Sequence, residues 1–405
     1  MAMPTKTDAT LSVISSMSEI APDDWDACAN PGWPGNRPLD AGRAAGVESS
    51  YNPFISHDFL AALEESGSAN GQSGWLGQHL VLDGEEGRPA AILPCYLKSH
   101  SMGEFVFDHG WADAFERAGG HYYPKLQASV PFTPVTGRRL LVRPGQDQER
   151  HAHLLAAGGI ALAQRHDVSS LHVTFATQAE WEILGASDYL KRTARQFHFV
   201  NEDYRDFDDF LSALASRKRK VIKRERRDAL ADGIVVEHLT GADLTEDAWD
   251  AFFGFYTDTG SRKWGRPYLN RLFFSLIGER MADRILLILA KRDGRAIAGA
   301  LNFIGSDTLY GRYWGAVEDQ PFLHFELCYY QAIDWAIDHG LAFVEAGAQG
   351  EHKLARGYRP TTTYSAHWIA NPSFRRAVAE FLDMERKQIA SDGAVLAEFM
   401  PFKKD

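Results

Sequence analysis

The chain has 405 residues, 45% of them hydrophobic and 24% charged, proportions that fit a folded globular protein and exclude a disordered or fibrous one. A formal charge of −11 and a sequence pI near 5.8 exclude a broad basic surface, so nucleic acid is not expected as the main partner. The longest apolar run is the six-residue ILLILA at 285–290, against the roughly 18–20 residues that cross a bilayer, so no membrane span is expected.

Residues 1–50 read as a polar tail and linker. MAMPTKTDATLSV has no apolar secretory core, which makes the cytoplasm the expected compartment, and PGWPGNRPLDAGRAAG is too rich in Pro and Gly for regular structure. A short helix is expected around 23–28. Ordered structure is expected from Asn52, beginning with a helix that has Ser56 as N-cap, Phe59, Leu60 and Leu63 at helical spacing, and Gly67 as terminator. HLVLD, GEEGR and PAAILPCYL then read as a β-hairpin. The same grammar returns in ILLILAKRDGRAIAGALNFIG, where Arg295 follows Arg88 of the first copy by 207 residues. Each hairpin is followed by strand, helix and strand: RRLLVRP, a helix over about 151–166 and SLHVTF, then TLYGRYWGA, HFELCYYQAIDWAIDHG and LAFVEAG. This predicts two copies of one α/β unit, over residues 51–195 and 196–405. Between them Phe207, Phe210, Leu211, Leu214, Val221 and Ile222 mark one helical face that runs to Gly233.

That joining helix carries RKRKVIKRERR, eight cations against the single acid Glu225. It reads as an anion site for phosphates of a carrier such as coenzyme A, for an RNA or for the acidic face of the inner membrane, or else as a solvated face. Residues 303–364 hold the densest potential chemistry. Glu345 closes a strand at the end where α/β sheets gather ligands, and is a candidate base; an ion pair with Arg356 or Lys353 explains it equally well. His352 follows Gly350 in a turn and has the acidity of a base near neutral pH. His324 and Glu326 open a helix, where the dipole alone favours Glu326. Tyr329 and Tyr330 are candidate proton donors to a leaving group. Cys328 reads as a structural core residue, and the three cysteines, Cys28, Cys95 and Cys328, suit neither a disulfide framework nor a zinc site. No His-Glu-x-x-His spacing occurs, so no metal is expected. In the first half, His100, Asp108, Lys125 and Thr133 stand among dense aromatic residues and read as the wall of a pocket for a greasy ligand.

The words NPFISHDFLAALEESGS, LKSHSMGEFVFD, YYPKLQASVPFTPVTGRRLL, HFELCYYQAIDWA and EAGAQGEHKLARGYRP resemble a bacterial family of predicted N-acyltransferases labelled as peptidoglycan biosynthesis or recognition proteins. The family is similar to Fem-type aminoacyl transferases, and its members resemble bacterial ceramide synthases. The resemblance implies an α/β fold of tandem GNAT-like mixed sheets flanked by helices, and transfer of an acyl group onto an amine. Its leading form moves a long acyl chain from coenzyme A, or from acyl carrier protein, to a lipid-like amine such as a sphingoid base, with peripheral contact to anionic inner-membrane lipid. The alternatives are aminoacyl transfer from tRNA to a peptidoglycan precursor, or a non-catalytic recognition module. Arg312 and Gly315 match the GNAT phosphate loop, Gln/Arg-x-x-Gly-x-Gly/Ala, but Val317 breaks its last position. On this reading Glu345 and His352 remove the amine's proton, and backbone N–H groups around 313–316 hold the oxyanion. Tyr329 or Tyr330 protonates the leaving group. Arg217, Lys218, Arg219, Lys220 and Lys223, with Arg312, Tyr313 and Gly315, hold the carrier, and Trp314, Lys353 and Arg356 join the substrate wall.

Overall fold

The computed structural model describes residues 9–33, 50–263, 267–348 and 350–403. Its strands, in chain order, are β1 (Leu11–Ile14), β2 (Trp75–Gly77), β3 (His79–Asp83), β4 (Pro89–Leu93), β5 (Tyr96–Lys98), β6 (Lys125–Ala128), β7 (Leu141–Val142), β8 (Ser170–Ala176), β9 (Leu190–Val200) and β10 (Val235–Leu239), followed by β11 (Ile285–Arg292), β12 (Arg295–Ile304), β13 (Thr308–Ala316), β14 (Phe343–Glu345) and β15 (Arg359–Ile369). Eleven of them form one mixed sheet in the order β10-β11-β12-β13-β14-β9-β15-β8-β6-β5-β2, and a second sheet has the order β1-β3-β4-β7. Within the large sheet β13–β14 and β6–β8 are parallel pairs. Each is joined through a helical crossover, Gln148–Arg165 in the first half and the helical run 323–338 in the second. The fold is therefore the mixed α/β architecture expected, a broad sheet flanked by helices.

Both hairpins form where the sequence places them. The second turns on Asp293 and Gly294, both at positive φ, as a two-residue hairpin requires. The first copy differs after its return strand. PAAILPCYL is interrupted at Pro94 and Cys95, so that β4 stays in the small sheet and β5 enters the large one. The helix Pro22–Ala29 forms as expected, but the rest of the described N-terminal segment is not a tail. β1 pairs with β3, and Trp25 and Cys28 are fully buried, with Trp25 Nε1 donating to Ile55 O at 2.8 Å. The apolar signals in this stretch are too short and too scattered to read locally. Residues 34–49, which hold most of the Pro/Gly-rich stretch, lie outside the described residues.

Two further departures have tertiary causes. The joining helix is two helices, Phe207–Ala213 and Ser216–Ala229. Leu214 is extended between them and bridges to Phe402, while the Ala215 N–H donates to Pro401 O at 2.8 Å, so the C-terminal segment takes the bonds that would continue the helix. The cut expected at residue 195 falls inside β9, which lies between β14 and β15 at the centre of the sheet. β15 comes from the C-terminal half yet pairs with β8 and β9, so the chain's last strand completes the sheet of its first half.

Candidate active site

β13 and β14 pair only over Thr308–Tyr310 and Phe343–Glu345, after which the strands diverge. Past Tyr310 the β14-facing edge of β13 has no strand beside it among the described residues. On its other edge β13 carries a bulge: Gly311 pairs with Asn302 and Tyr313 with Leu301, which leaves Arg312 as the extra residue. Bulges re-aim side chains, and here the Arg312 guanidinium reaches across to Glu345 at 2.8 Å. The gap opens on a cavity of about 90 Å³ lined by Asn302, Arg312, Trp314, His324, Cys328 and Tyr329, among others. Cys328, read from sequence as a core residue, is half-buried and faces this cavity.

The helical run 323–338 forms the opposite wall. Its middle, Glu326–Tyr330, is a π segment, a feature that recurs at functional sites because the wider turn shifts side-chain positions. Tyr329 projects from it with its hydroxyl 2.9 Å from His352 Nε2. Burial, then the charges of Arg356 and Lys353, hold His352 below the ordinary histidine value, so the imidazole is neutral near pH 7. Burial also raises the Tyr329 phenol well above its usual value, which keeps it a proton donor. His324 packs edge-on against both Trp314 and Tyr329, with ring centroids 5.2 and 5.4 Å apart. Lys353 is buried behind the cavity and donates to Gly347 O at 3.0 Å; burial, then Arg312, push it down to about 8.

Other residues assigned to this region from sequence have holding roles. Glu345 is committed to Arg312, with His198 at 3.9 Å, rather than standing open to accept a proton. Glu326 is fully buried and bound by Arg226 at 3.1 Å and Gln331 at 2.7 Å. Tyr313 donates to Phe132 O at 3.1 Å. Gly315 lies so close to the Phe255 backbone that a Cβ would come within 2.2 Å of it. The N–H groups of Ala316 and Val317 donate to Thr259 Oγ1 at 3.3 Å and Ile297 O at 3.0 Å. These bonds occupy the turn where the GNAT phosphate loop would sit and remove those two N–H groups as oxyanion donors. They give a physical counterpart to the break at Val317.

The basic helix Ser216–Ala229 divides its cations between two tasks. Arg226 ties it to Glu326 and Asp334, each at 3.1 Å, and Glu225 is buried against Arg356 at 3.0 Å. Arg356 in turn donates to His352 O at 2.8 Å and lies 3.5 Å over the Phe325 ring, so the helix is coupled directly to the His352 loop. Lys223 pairs with Asp208 at 2.9 Å on the surface. Arg217, Lys218, Arg219, Lys220 and Arg224 have no ion pair among the described residues, and Arg217, Lys220 and Arg224 line a shallow groove of about 550 Å³ with Ser216 and Val221. Three of these cations, Arg217, Lys218 and Arg219, occupy the first turn, where the helix dipole is already positive.

The first-half residues are placed differently from expectation. Asp108 and Lys125 meet, but inside an ionic cluster rather than on an apolar wall. Lys125 is fully buried and bonds to Ser101 and Glu104 at 2.7 Å each and to Asp108, which also accepts from Tyr122 at 2.7 Å. Lys98 lies 3.5 Å over the Trp75 ring. Burial pushes Glu104 up to about 7 and Lys98 down to about 7. His100 shares none of this cluster's hydrogen bonds among the described residues and accepts from the Met102 N–H at 3.2 Å, while the hydroxyl of buried Thr133 has no partner among the described residues. The sequence reading also missed Asn302 and Glu225. Their signals were a lone amide in the apolar AIAGALNFIG and the lone acid in the basic run.

A model of the FemAB-like family, described as peptidoglycan biosynthesis/recognition, matches residues 16–404. No protein of curated function matches the sequence. Among solved structures the chain is similar to FemX, with 13% identity and a TM-score of 0.50 over 78% of this chain and 93% of that one. It is also similar to the C-terminal domain of a putative lysylphosphatidylglycerol synthetase from Agrobacterium fabrum, with 10% identity and a TM-score of 0.51 over 85% and 95%. A tandem GNAT protein from the clavulanic acid biosynthesis pathway aligns with 14% identity and a TM-score of 0.43 over 90% and 99%. Among the described residues no helix is long and apolar enough to cross a membrane.

Proposed function

The chain belongs to the FemAB-like family, and on that premise we propose that it transfers an activated aminoacyl group onto an amine of a peptidoglycan precursor. The observation that carries this reading is the small cavity between the diverging strands, with Tyr329 in its wall and hydrogen-bonded to His352. At about 90 Å³ it is well under the roughly 300–1,000 Å³ of sites that enclose drug-sized ligands, and it suits a short aminoacyl group better than a long chain.

The acceptor amine arrives mostly as ammonium and loses a proton to the neutral His352 imidazole. Its lone pair attacks the ester carbonyl, the C–N bond forms, and the tetrahedral oxyanion collapses with cleavage of the C–O bond. Tyr329 gives its proton to the departing oxygen and is recharged by the proton that His352 took from the amine; the newly bonded nitrogen sheds its second proton to solvent, which leaves a neutral amide. Glu345 holds Arg312 across the gap, and Lys353 adds positive charge behind the developing oxyanion. The cations of the basic helix that have no ion pair among the described residues hold phosphates of the donor; the concentration of Arg217, Lys220 and Arg224 in one groove supports this reading in a chain whose net charge is −11.

Transfer of a long acyl chain from a thioester to a sphingoid amine is the second reading, favoured by the apolar part of the cavity wall at Ala300, Leu301 and Trp314. One panel separates the two. Purified protein is given aminoacyl-tRNA with a pentapeptide precursor, and long-chain acyl-CoA with a sphingoid base, and products are followed by mass spectrometry. Aminoacylated precursor, lost in Tyr329→Phe, supports the proposal; acylated sphingoid base alone overturns it.

A further inference from the structure

We propose that Asn302 selects the donor by accepting a hydrogen bond from its α-amino group, an inference that rests on the aminoacyl reading above. Asn302 is the single amide in the apolar strand β12 and is fully buried. Its Nδ2 donates to Leu286 O and Ala300 O, both at 3.2 Å, which fixes the side chain's orientation. Its Oδ1 accepts no hydrogen bond among the described residues. A buried amide oxygen without a donor is costly, so a strand that keeps one beside a cavity is built for a donor that comes from outside.

The surroundings say where that donor sits. Asn302 shares a sheet face with Ala300, two residues earlier, and Ala300 is paired with Trp314; this is the face turned to His324, Cys328 and Tyr329. Gly311, opposite Asn302, keeps the approach open, because a Cβ there would lie 3.1 Å from Asn302 Oδ1 and 3.4 Å from Glu345 O. A donor whose leaving oxygen faces Tyr329 places its carbonyl at the gap and the group on its α-carbon inside the cavity. An aminoacyl donor presents an N–H there. A fatty acyl donor presents only CH₂ and leaves Oδ1 unpaired, and sites built to bond a polar group reject the analogue that lacks it far more strongly than apolar pockets discriminate by size.

The test uses two stable amide analogues of the donor's 3′ end, 3′-alanylamino-3′-deoxyadenosine and its propionyl counterpart, with binding measured by calorimetry on the full chain. Wild type is expected to bind the alanyl compound at least about 10-fold tighter, and Asn302→Leu to bring it down to the propionyl level while leaving the propionyl affinity unchanged. Gly311→Ala, which narrows the approach without touching the amide's anchors, is expected to act in the same direction and serves if Asn302→Leu does not fold. Equal binding of the two compounds by wild type, or equal weakening of both by the variants, overturns the role of Asn302 and leaves the aminoacyl reading standing. Failure of wild type to bind either compound overturns both.

Discussion

Replacing Glu225 with Met will uncouple the basic helix from the His352 loop at a cost that can be worked from the structure. Both Glu225 oxygens lie 3.0 Å from Arg356 Nη2, the carboxylate also accepts from the Tyr330 hydroxyl, and the two charged side chains are 8–9% exposed. Removing one partner of such a pair leaves the other charge buried alone, which costs about 3–5 kcal/mol; the slight exposure places this case near 3 kcal/mol. Arg356→Met should cost a similar amount and also free the His352 carbonyl that Arg356 holds at 2.8 Å. The double variant leaves no orphaned charge, so it should cost little more than either single change, a coupling of about 2–3 kcal/mol. Urea unfolding of the four proteins measures this directly, and the single variants should also lose transfer rate as the His352 loop loosens. Single effects that add within about 0.5 kcal/mol would refute the coupling.

The remaining predictions concern protons and phosphates. Tyr329→Phe should lower kcat by about 10²-fold or more with little change in KM, since the phenol acts only as the leaving oxygen departs. His352 works as the neutral base and its value is lowered by burial, Arg356 and Lys353, so the rate should be full at neutral pH and fall as pH drops through a value below about 6.5; persistence of that limb in His352→Gln would assign it elsewhere. Neutralising Arg217, Lys220 and Arg224 together should raise KM for a tRNA donor and flatten the dependence of log K on log salt by about 2–3 units; an unchanged slope would mean that the groove holds no phosphate. Burial pushes Asp26 up to about 7, above the 3.8 of the unfolded chain. The unfolded state then gives up its proton first, and stability should fall as pH rises from about 4 to 7. Asp26→Asn should remove that slope and gain about 2 kcal/mol at pH 7, half of what the full shift implies because the side chain is only partly covered; an unchanged slope would show that Asp26 is not its source.

What was legible in the sequence followed local rules. Ser56 and Gly67 bracket their helix because a side-chain acceptor and a residue free to take positive φ satisfy helix ends wherever they occur. Asp293-Gly294 turns its hairpin for the same kind of reason, and long specific words carried the family. Glu345, His352, Tyr329 and the basic run were picked out as chemistry-bearing; in the fold Tyr329 lines the cavity and bonds to His352, Glu345 pairs with Arg312 of the cavity wall, and the basic helix meets the His352 loop through Arg356. Their division of labour was not legible: Glu345 reads as a base until Arg312, the bulged residue 33 positions earlier, is seen 2.8 Å away.

The sequence by itself determined the element types, the doubled strand-helix-strand order and the chemical inventory, because caps, turns and hydrophobic periods act over a few residues. Only the tertiary structure decided that Met17, Trp25 and Cys28 of the N-terminal segment belong to the core, that residues 401–403 interrupt the joining helix, and that Asp108 and Lys125 meet in a buried ionic cluster. The structure also decided that β13 and β14 part after three residues, which makes the cavity and leaves Asn302 facing it. These outcomes depend on which distant groups meet to satisfy backbone bonds and buried charge, a pairing that no local pattern records.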